Sequence, residues 1–486
     1  MHMNFLIRES EKKVFALLFA TALLFIYPLM HYGIYFRDDL HRSVTGYYGW
    51  SGLGRPLADI VIKVASASGD RLLDIFPYNL ILSCAMLSLA CIHIARLLQH
   101  LNIKKPTFCA SLFIFNPFFL QNLAYRFDST GMSLALLLCA LSYTYQNNNI
   151  YISLVIKILL GVATLSLYQP CANLFIGLLS IELSALFITN NTNNKKLFLT
   201  LIKKAGVFLS FYSIYFLIVA RIWGSENNRS EIVKLNTDGL NHIYNTFQRL
   251  NTLLESFFNG PVIFYFIPPV ILLFIFIILT VYKNRNNSLA TKMLLLLLSL
   301  SSAYISLLGP TFILVDAPVF PRTLVSFSIL FVLFSMYIIS LCDKLKCIAL
   351  IPVVTVIAFS SQFANALNTQ REHENFVLNM VAYDLMNING IQKIKTVGKI
   401  RFSKRAELLT NDKPLISQSI SRATEFLATY QMVNKGLKGV SDGYGIEKSN
   451  KEELDSFKSN GVKPYVDNNE YSIYENNGVA IVVFKG

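Results

Sequence analysis

Apolar residues along this chain fall into long runs separated by short polar stretches, and run length is the first signal. Runs near span length lie at approximately 14–33, 76–97, 107–123, 129–146, 150–168, 171–190, 198–222, 261–282, 289–308, 322–341 and 347–364. At about 1.5 Å of rise per residue each can cross about 30 Å of hydrocarbon, which predicts about 9–11 transmembrane helices. The lower count applies if the turn at Asn147–Asn149, which carries no basic residue, belongs to a re-entrant hairpin. Either count leaves both chain ends on the same predicted sides. Between the first two runs, residues 34–75 form a polar segment. Within it Leu57, Ile60, Val61 and Val64 recur at helical spacing, with Asp59 and Lys63 between them, a pattern suited to a short helix on the membrane surface. A second polar segment, 223–258, predicts a helix from about Leu240 to Phe258.

Beyond residue 365 the pattern changes, with no spanning run and much Asn, Lys, Glu and Ser. Helical periodicity is expected at 372–387 and 421–435. Ile394 to Ile400 reads as a strand, and Tyr471 to Tyr474 and Val479 to Phe484 read as a hairpin turning through Asn476-Asn477-Gly478. The expected fold class is an all-α polytopic membrane protein, residues 1–364, with a small C-terminal α/β domain, residues 365–486.

Composition agrees: 53% of residues are hydrophobic and only 15% charged, too little charge for a soluble surface of this length. The net charge of +14 is not a nucleic-acid signal, because the basic residues fall in short loops between apolar runs. Arg96, Lys104 and Lys105, then Lys195 and Lys196, then Lys283 and Arg285, then Lys344 and Lys346 all map to one predicted side, the cytoplasm. Arg8, Lys12 and Lys13 precede the first run without a small-residue cleavage site after it, which reads as an uncleaved first span with a cytoplasmic N-terminus. An odd number of spans then sends the tail to the outer side. The seven cysteines show no C-x-x-C pair and no His pair at zinc-ligand spacing, so neither a metal centre nor a disulfide framework is indicated. No internal repeat is visible, against a transporter of inverted halves.

Candidate chemistry gathers on the outer side. Tyr35-Phe36-Arg37-Asp38-Asp39-Leu40-His41-Arg42 follows the first run, and Gly49-Trp50-Ser51-Gly52-Leu53-Gly54-Arg55-Pro56 follows closely. Adjacent aspartates point different ways on regular backbone, so one of Asp38 and Asp39 can face an acceptor as general base while the other orients it or binds an arginine. Arg55, Arg126 and Arg322 map to outer helix ends. With Arg37 and Arg42 they suit a lipid phosphate, although each alone also fits an interfacial arginine that snorkels. Ser166-Leu167-Tyr168-Gln169-Pro170 ends the fifth run on that side, where Tyr168 is either a ligand contact or an interfacial belt residue. Glu182, near the middle of the sixth run, either lines a cavity or is a neutral, hydrogen-bonded carboxyl. Lys157 is expected to reach the cytoplasmic surface. The glycines at 46, 49, 52 and 54 lack nucleotide-fingerprint spacing. No cofactor is evident, and a divalent metal is left open.

On these residues the chain resembles the Gtr-type serotype-converting O-antigen glucosyltransferases of enteric bacteria and their temperate phages. The resemblance rests on Phe36-Arg37-Asp38-Asp39, Gly49-Trp50, Gly54-Arg55-Pro56-Leu57, Asn116-Pro117, Tyr125-Arg126-Phe127-Asp128, Tyr168-Gln169-Pro170 and Pro321-Arg322. It implies a GT-C-like, inverting enzyme of the bacterial inner membrane. Such an enzyme moves glucose from undecaprenyl-phosphate glucose to a sugar of the lipid-linked O-antigen on the periplasmic face. The acidic base of the first outer loop carries over onto Asp38 and Asp39, with Asp38 favoured. Arg37, Arg42, Arg55, Arg126 and Arg322 then hold donor phosphate, and Trp50, Asp128, Tyr168 and Gln169 bind substrate. A donor flippase and a donor synthase are the implied partners. The rival readings are a flippase or polymerase of lipid-linked glycans, and a receptor or adhesin anchored by the spans. A flippase needs polar lining through both membrane halves, and eleven spans exceed what an anchor needs.

Overall fold

A computed structural model describes residues 7–189, 194–224, 232–234, 236–283 and 289–486. Arg285 and the side chains of Lys195, Lys196 and Lys283, expected as cytoplasmic loop charges, lie outside this description. Among the described residues the first half contains α1 (Lys12–Tyr32), α2 (Asp39–Thr45), α3 (Pro56–Ala65), α4 (Tyr78–His100), α5 (Pro106–Ser111), α6 (Leu120–Ala124), α7 (Ser129–Thr144), α8 (Ile150–Leu167), α9 (Asn173–Ile188) and α10 (Asn194–Ile214). There follow α11 (Ala220–Trp223), α12 (Thr237–Phe258), α13 (Val262–Lys283), α14 (Leu289–Ile305), α15 (Ile329–Leu341) and α16 (Ile351–Met386). The protein is an all-α polytopic membrane protein carrying a small α/β domain at its C-terminal end. Seven helical segments among the described residues are long and apolar enough to cross a membrane. Three more apolar helices, α7, α14 and α15, are shorter. The mostly buried α4, α7, α9 and α15 lie within the bundle, while α1, α8, α10 and α13 leave large apolar side chains exposed, as lipid-facing helices do.

Two expected spans are not continuous helices. The run 107–123 breaks into α5, a 3-10 turn at Leu112–Ile114 and α6, and in the run 322–341 only Ile329–Leu341 is α-helical. Asn116-Pro117 accounts for the first break, since proline cannot donate to the helix ladder; in the second, Pro321 opens a short 3-10 turn and the α-helix begins only at Ile329. Irregular backbone at membrane depth needs partners inside the protein. Buried Asn116 supplies them: its Oδ1 accepts from the N–H of Phe118 (3.0 Å) and Phe119 (3.2 Å), and its Nδ2 donates to the carbonyls of Leu324 (3.2 Å) and Val325 (2.9 Å). The two broken segments are thereby stitched to each other.

The 36-residue α16 runs from an apolar stretch straight into the C-terminal domain. That domain adds α17 (Lys404–Asp412), α18 (Pro414–Ser419), α19 (Glu425–Asn434) and α20 (Glu447–Ser459). Its sheet contains β1 (Lys393–Lys399), β2 (Val466–Asp467), β3 (Tyr471–Asn476) and β4 (Val479–Lys485), in the order β1-β4-β3-β2, with β1 and β4 parallel and the other pairs antiparallel. The hairpin turns where the sequence predicts, because Asn477 (φ 49°) and Gly478 (φ 78°) both adopt the positive φ that a tight two-residue turn requires. Leu415, Ile416 and Ile420 pack into the helical bundle's own core, so the domain is seated on the bundle rather than tethered to it.

Replacing Asn116 by Ala should destabilise the protein by about 1–3 kcal/mol for each backbone group left buried and unpaired. The check is the apparent unfolding midpoint in detergent, and an unchanged midpoint would mean that packing alone holds the break.

Candidate active site

The two adjacent aspartates are separated by the backbone into different environments. Gly33 ends α1 in the left-handed conformation, and Arg37 repeats it (φ 50°), a strained choice for a residue with a Cβ that turns the chain into α2. Asp39 is fully buried: its Oδ2 accepts from the N–H of Phe36 (3.0 Å) and Arg126 (2.7 Å), and its Oδ1 from that of Phe127 (3.3 Å). Asp39 therefore fastens the first loop to the turn before α7. Asp38 is half-buried, and among the described residues its carboxylate has no hydrogen bond or ion pair. It lies within the electrostatic reach of Tyr125 and Arg322.

Asp128, directly before α7, gathers the second group. Trp50 Nε1 donates to its Oδ1 (2.5 Å), Arg42 Nη1 pairs with its Oδ2 (3.2 Å), and the Arg42 guanidinium lies 4.0 Å from the Trp50 ring centroid. The Trp50 backbone is in turn fixed by Asp59 of α3, whose carboxylate accepts from the N–H of Trp50 (3.2 Å) and Ser51 (2.8 Å). This explains the surface helix: α3 forms as its periodicity predicts, and its acidic residue caps the Gly-rich turn.

Arg55 and Tyr168 form the third group. Arg55 Nε donates to Gln169 Oε1 (2.6 Å) and its guanidinium lies 4.8 Å from the Tyr168 ring centroid. Gln169 Nε2 reaches the Leu53 carbonyl (3.1 Å) and the Tyr215 hydroxyl (2.9 Å), while Tyr215 donates to the Gly54 carbonyl (2.9 Å). Gly54 has φ +73°, and a Cβ there would lie 2.6 Å from the Tyr215 hydroxyl, so glycine is required on two counts. Tyr215 opens a π-helical turn in the helix that continues α10, an irregularity often found at functional positions. A small crevice lined by Trp50, Arg55, Phe127, Asp128, Gly131 and Tyr168 joins the second and third groups.

The five arginines separate by partner. Arg42 is paired with Asp128. Arg126 is paired with Asp74 (2.7 Å), donates to the Gly33 carbonyl and stacks between Tyr35 and Phe76, with centroid distances of 4.1 and 4.3 Å. Arg37, Arg55 and Arg322 have no carboxylate within ion-pair distance among the described residues. Burial lowers the pKa of Arg55, opposed by Tyr168 and Asp128. At Arg322 desolvation is outweighed by Tyr125, Tyr168, Asp38 and Asp128, so its pKa is raised. Arg322 donates to the Tyr125 hydroxyl, its N–H donates to Gln121 Oε1 (3.0 Å), and its carbonyl accepts from Tyr168 (3.1 Å).

Thus Trp50, Asp128, Arg42, Arg55, Tyr168 and Gln169 come together, Asp38 lies within electrostatic reach of Arg322, and Arg126 turns away to clamp the loop that holds Asp74. Sequence reasoning missed Asp59, Gln121, Tyr125 and Tyr215 as supporting residues. Only Tyr125 carried a signal, by its place in the Tyr125-Arg126-Phe127-Asp128 run. Among the described residues no three His, Cys, Asp or Glu side chains gather in a metal-holding group.

The model of the family described as Glucosyl transferase GtrII matches residues 28–339, which include all of these groups. The chain is also 31% identical over 264 residues to the uncharacterized 55.3 kDa protein in the gtrB 5' region of Salmonella phage P22. That match covers 52% of this chain and 52% of the phage protein, about half the length of each. No solved structure matches the chain.

Asp39 sets a pH dependence. Desolvation, helped by the Asp128 carboxylate, pushes its carboxyl up to about 7, against the N–H groups of Arg126 and Phe36 and the charge of Arg42. With the folded pKa above the unfolded one, the native state holds the proton more tightly. Its contribution is complete below about pH 4 and is lost as pH rises through about 7. The apparent melting temperature should decline across about pH 5–8, and Asp39→Asn, neutral throughout, should flatten that decline. A variant that kept the parent slope would assign the pH dependence to another group.

Proposed function

The chain belongs to the GtrII glucosyl transferase family, and we propose that it is a GT-C-like, inverting glucosyltransferase with Asp38 as general base. On this reading the donor is undecaprenyl-phosphate glucose and the acceptor a sugar of the lipid-linked O-antigen. The observation that carries it is Asp38: a half-buried carboxylate, held by no hydrogen bond or ion pair among the described residues, within electrostatic reach of Arg322 and Tyr125. A carboxylate so placed is free to take a proton, while its buried neighbour supplies the rigidity that positioning demands.

The acceptor hydroxyl gives its proton to Asp38 as its oxygen attacks the anomeric carbon. The bond from that carbon to the donor phosphate oxygen breaks, and polyprenyl phosphate departs carrying the bonding electrons. One base and one leaving group suffice for inversion. Arg322, Arg55 and Arg37, free of carboxylate partners, are assigned to the phosphate because their guanidinium forks are available to its oxygens. Arg42 and Arg126 are assigned to organising the loop, since each already neutralises a carboxylate. Asp128 and Gln169 offer polar edges to a sugar, while the buried rings of Trp50 and Tyr168, expected to bind substrate, instead pack against the guanidinium groups of Arg42 and Arg55.

The proposed setting is the bacterial inner membrane, with a cytoplasmic N-terminus and with residues 1–364 as the catalytic module. Residues 365–486 form a periplasmic domain over the site, where α19 meets α2 through the His41–Tyr430 ring pair (4.6 Å). A synthase and a flippase supply the donor. The flippase alternative calls for a continuous polar passage. The large cavity of the opposite face instead shares no lining residue with the crevice at Trp50 and Asp128.

Asp38→Asn should lower turnover by about 10²–10⁴ with insertion and stability unchanged. A variant retaining near-parental turnover removes Asp38 from the chemistry. At Arg322 the expected order of turnover is Arg above Lys above Ala, because lysine keeps the charge and loses the fork; equal turnover for Lys and Arg would make Arg322 an anchor. A periplasmic reporter fused after Gly486 should be active, and silence there contradicts the sidedness.

A further inference from the structure

A large cavity lies away from Asp38, at the other ends of the same helices. It has a volume of about 910 Å³ and sits where the C-terminal ends of α4, α7 and α9 meet the N-terminal portions of α8 and α10. The site described above uses the opposite ends of α7 and α8, at Asp128 and Tyr168.

Its polar groups are unusual for a membrane bundle. Glu182 of α9 and Lys204 of α10 form an ion pair (3.7 Å), Tyr143 donates to Glu182, and Lys204 donates to the Tyr143 carbonyl (3.0 Å). The Lys204 ammonium also lies 3.3 Å from the Tyr143 ring centroid. One carboxylate is thus matched by one lysine in a fixed frame. Lys157 and Lys203 line the same cavity, and among the described residues their ammonium groups have no hydrogen bond or ion pair. The segment 190–196 between α9 and α10 contains no Asp or Glu that could balance them. Charged side chains at membrane depth are costly unless paired or facing a polar ligand or water; Lys157 is half-buried and Lys203 exposed, and both line the cavity as unpaired cations.

Two large apolar side chains of α8, Ile150 and Leu154, line the cavity and are 64% and 43% exposed, beside the exposed polar residues His100, Asn102 and Gln146. Unpaired cations in a cavity that also exposes Ile150 and Leu154 match an amphiphile with an anionic head. Lysine, a compact point charge, is suited to such a head without the bidentate geometry that arginine imposes. A soluble anion has no use for the exposed Ile150 and Leu154.

We propose that this cavity is a second binding site, on the membrane face opposite Asp38, for the phosphate headgroup of a lipid, with Lys157 and Lys203 as its principal cations. Glu182 acts there as a brake, because its negative charge opposes the headgroup while it pairs with Lys204. The site does not depend on the transfer reaction proposed for the other face.

The test is native mass spectrometry of the full chain in nonionic detergent, titrated with phosphatidylglycerol and, separately, with phosphatidylcholine. Inorganic phosphate is added as competitor in a third arm. Phosphatidylglycerol should be retained in preference to phosphatidylcholine. Lys157→Gln and Lys203→Gln should each weaken its retention about fivefold, whereas Glu182→Gln should strengthen it. These opposite signs separate an electrostatic site from mere damage, which lowers retention in every variant. If a lysine variant fails to fold, the sign of the Glu182→Gln effect decides. Parental retention in both lysine variants, or no gain in Glu182→Gln, overturns the proposal. Displacement of phosphatidylglycerol by millimolar inorganic phosphate also overturns it, by making a soluble anion the occupant.

Discussion

A single buried carboxylate, Asp39, holds one end of the bundle together. Three backbone N–H groups from two distant segments, Phe36 on one side and Arg126 and Phe127 on the other, converge on it. Groups of this kind must be satisfied when buried, and a charged or shared-proton acceptor satisfies all three at once. The consequences spread outward. The chain direction at residues 125–128 is set, Asp128 is delivered to Trp50 and Arg42, and the neighbour Asp38, one residue earlier, is left without a structural duty.

The same economy appears around it. Asn116 joins two interrupted apolar segments, one of which leads to Arg322 and the other to Tyr125 and Arg126, so the breaks in these segments bring residues of the candidate site to one place. Gln121, at the end of the first broken segment, accepts from the Arg322 N–H and donates to the Ser419 carbonyl (3.2 Å). The C-terminal domain is thereby connected to the candidate site by hydrogen bonds as well as by its packing. Arg371 of α16 adds a bond to the Tyr35 carbonyl (2.8 Å). Movement of the domain would therefore be felt at the first loop.

Much of this was legible in the sequence, for reasons that differ by element. Long apolar runs and the Asn477-Gly478 turn are local signals, so the membrane class and the hairpin could be read directly. The surface helix α3 was legible from its spacing, but not the role of Asp59, which depends on a turn that only the fold brings beneath it. Two runs with the composition of spans are broken, the first because Asn116-Pro117 outweighs the surrounding hydrophobicity. The Asp38-Asp39 pair announced itself, yet which member is buried is decided by a segment more than eighty residues away in sequence. The parallel pairing of β1 with β4 likewise has no local signature. The arginines looked equivalent in sequence because their carboxylate partners, Asp74 and Asp128, are assigned only by tertiary contact.

The central claim is that the groups around Asp38 perform a direct displacement at a lipid-phosphate sugar. Purified full-length protein should be incubated with polyprenyl-phosphate glucose labelled with carbon-13 at the anomeric position, together with lipid-linked O-antigen. The anomeric configuration of the transferred sugar is then read by NMR. The account predicts glucosylated acceptor whose anomeric configuration is opposite to that of the donor. Transfer with retained configuration, or no transfer from this donor by active, folded protein, would contradict it.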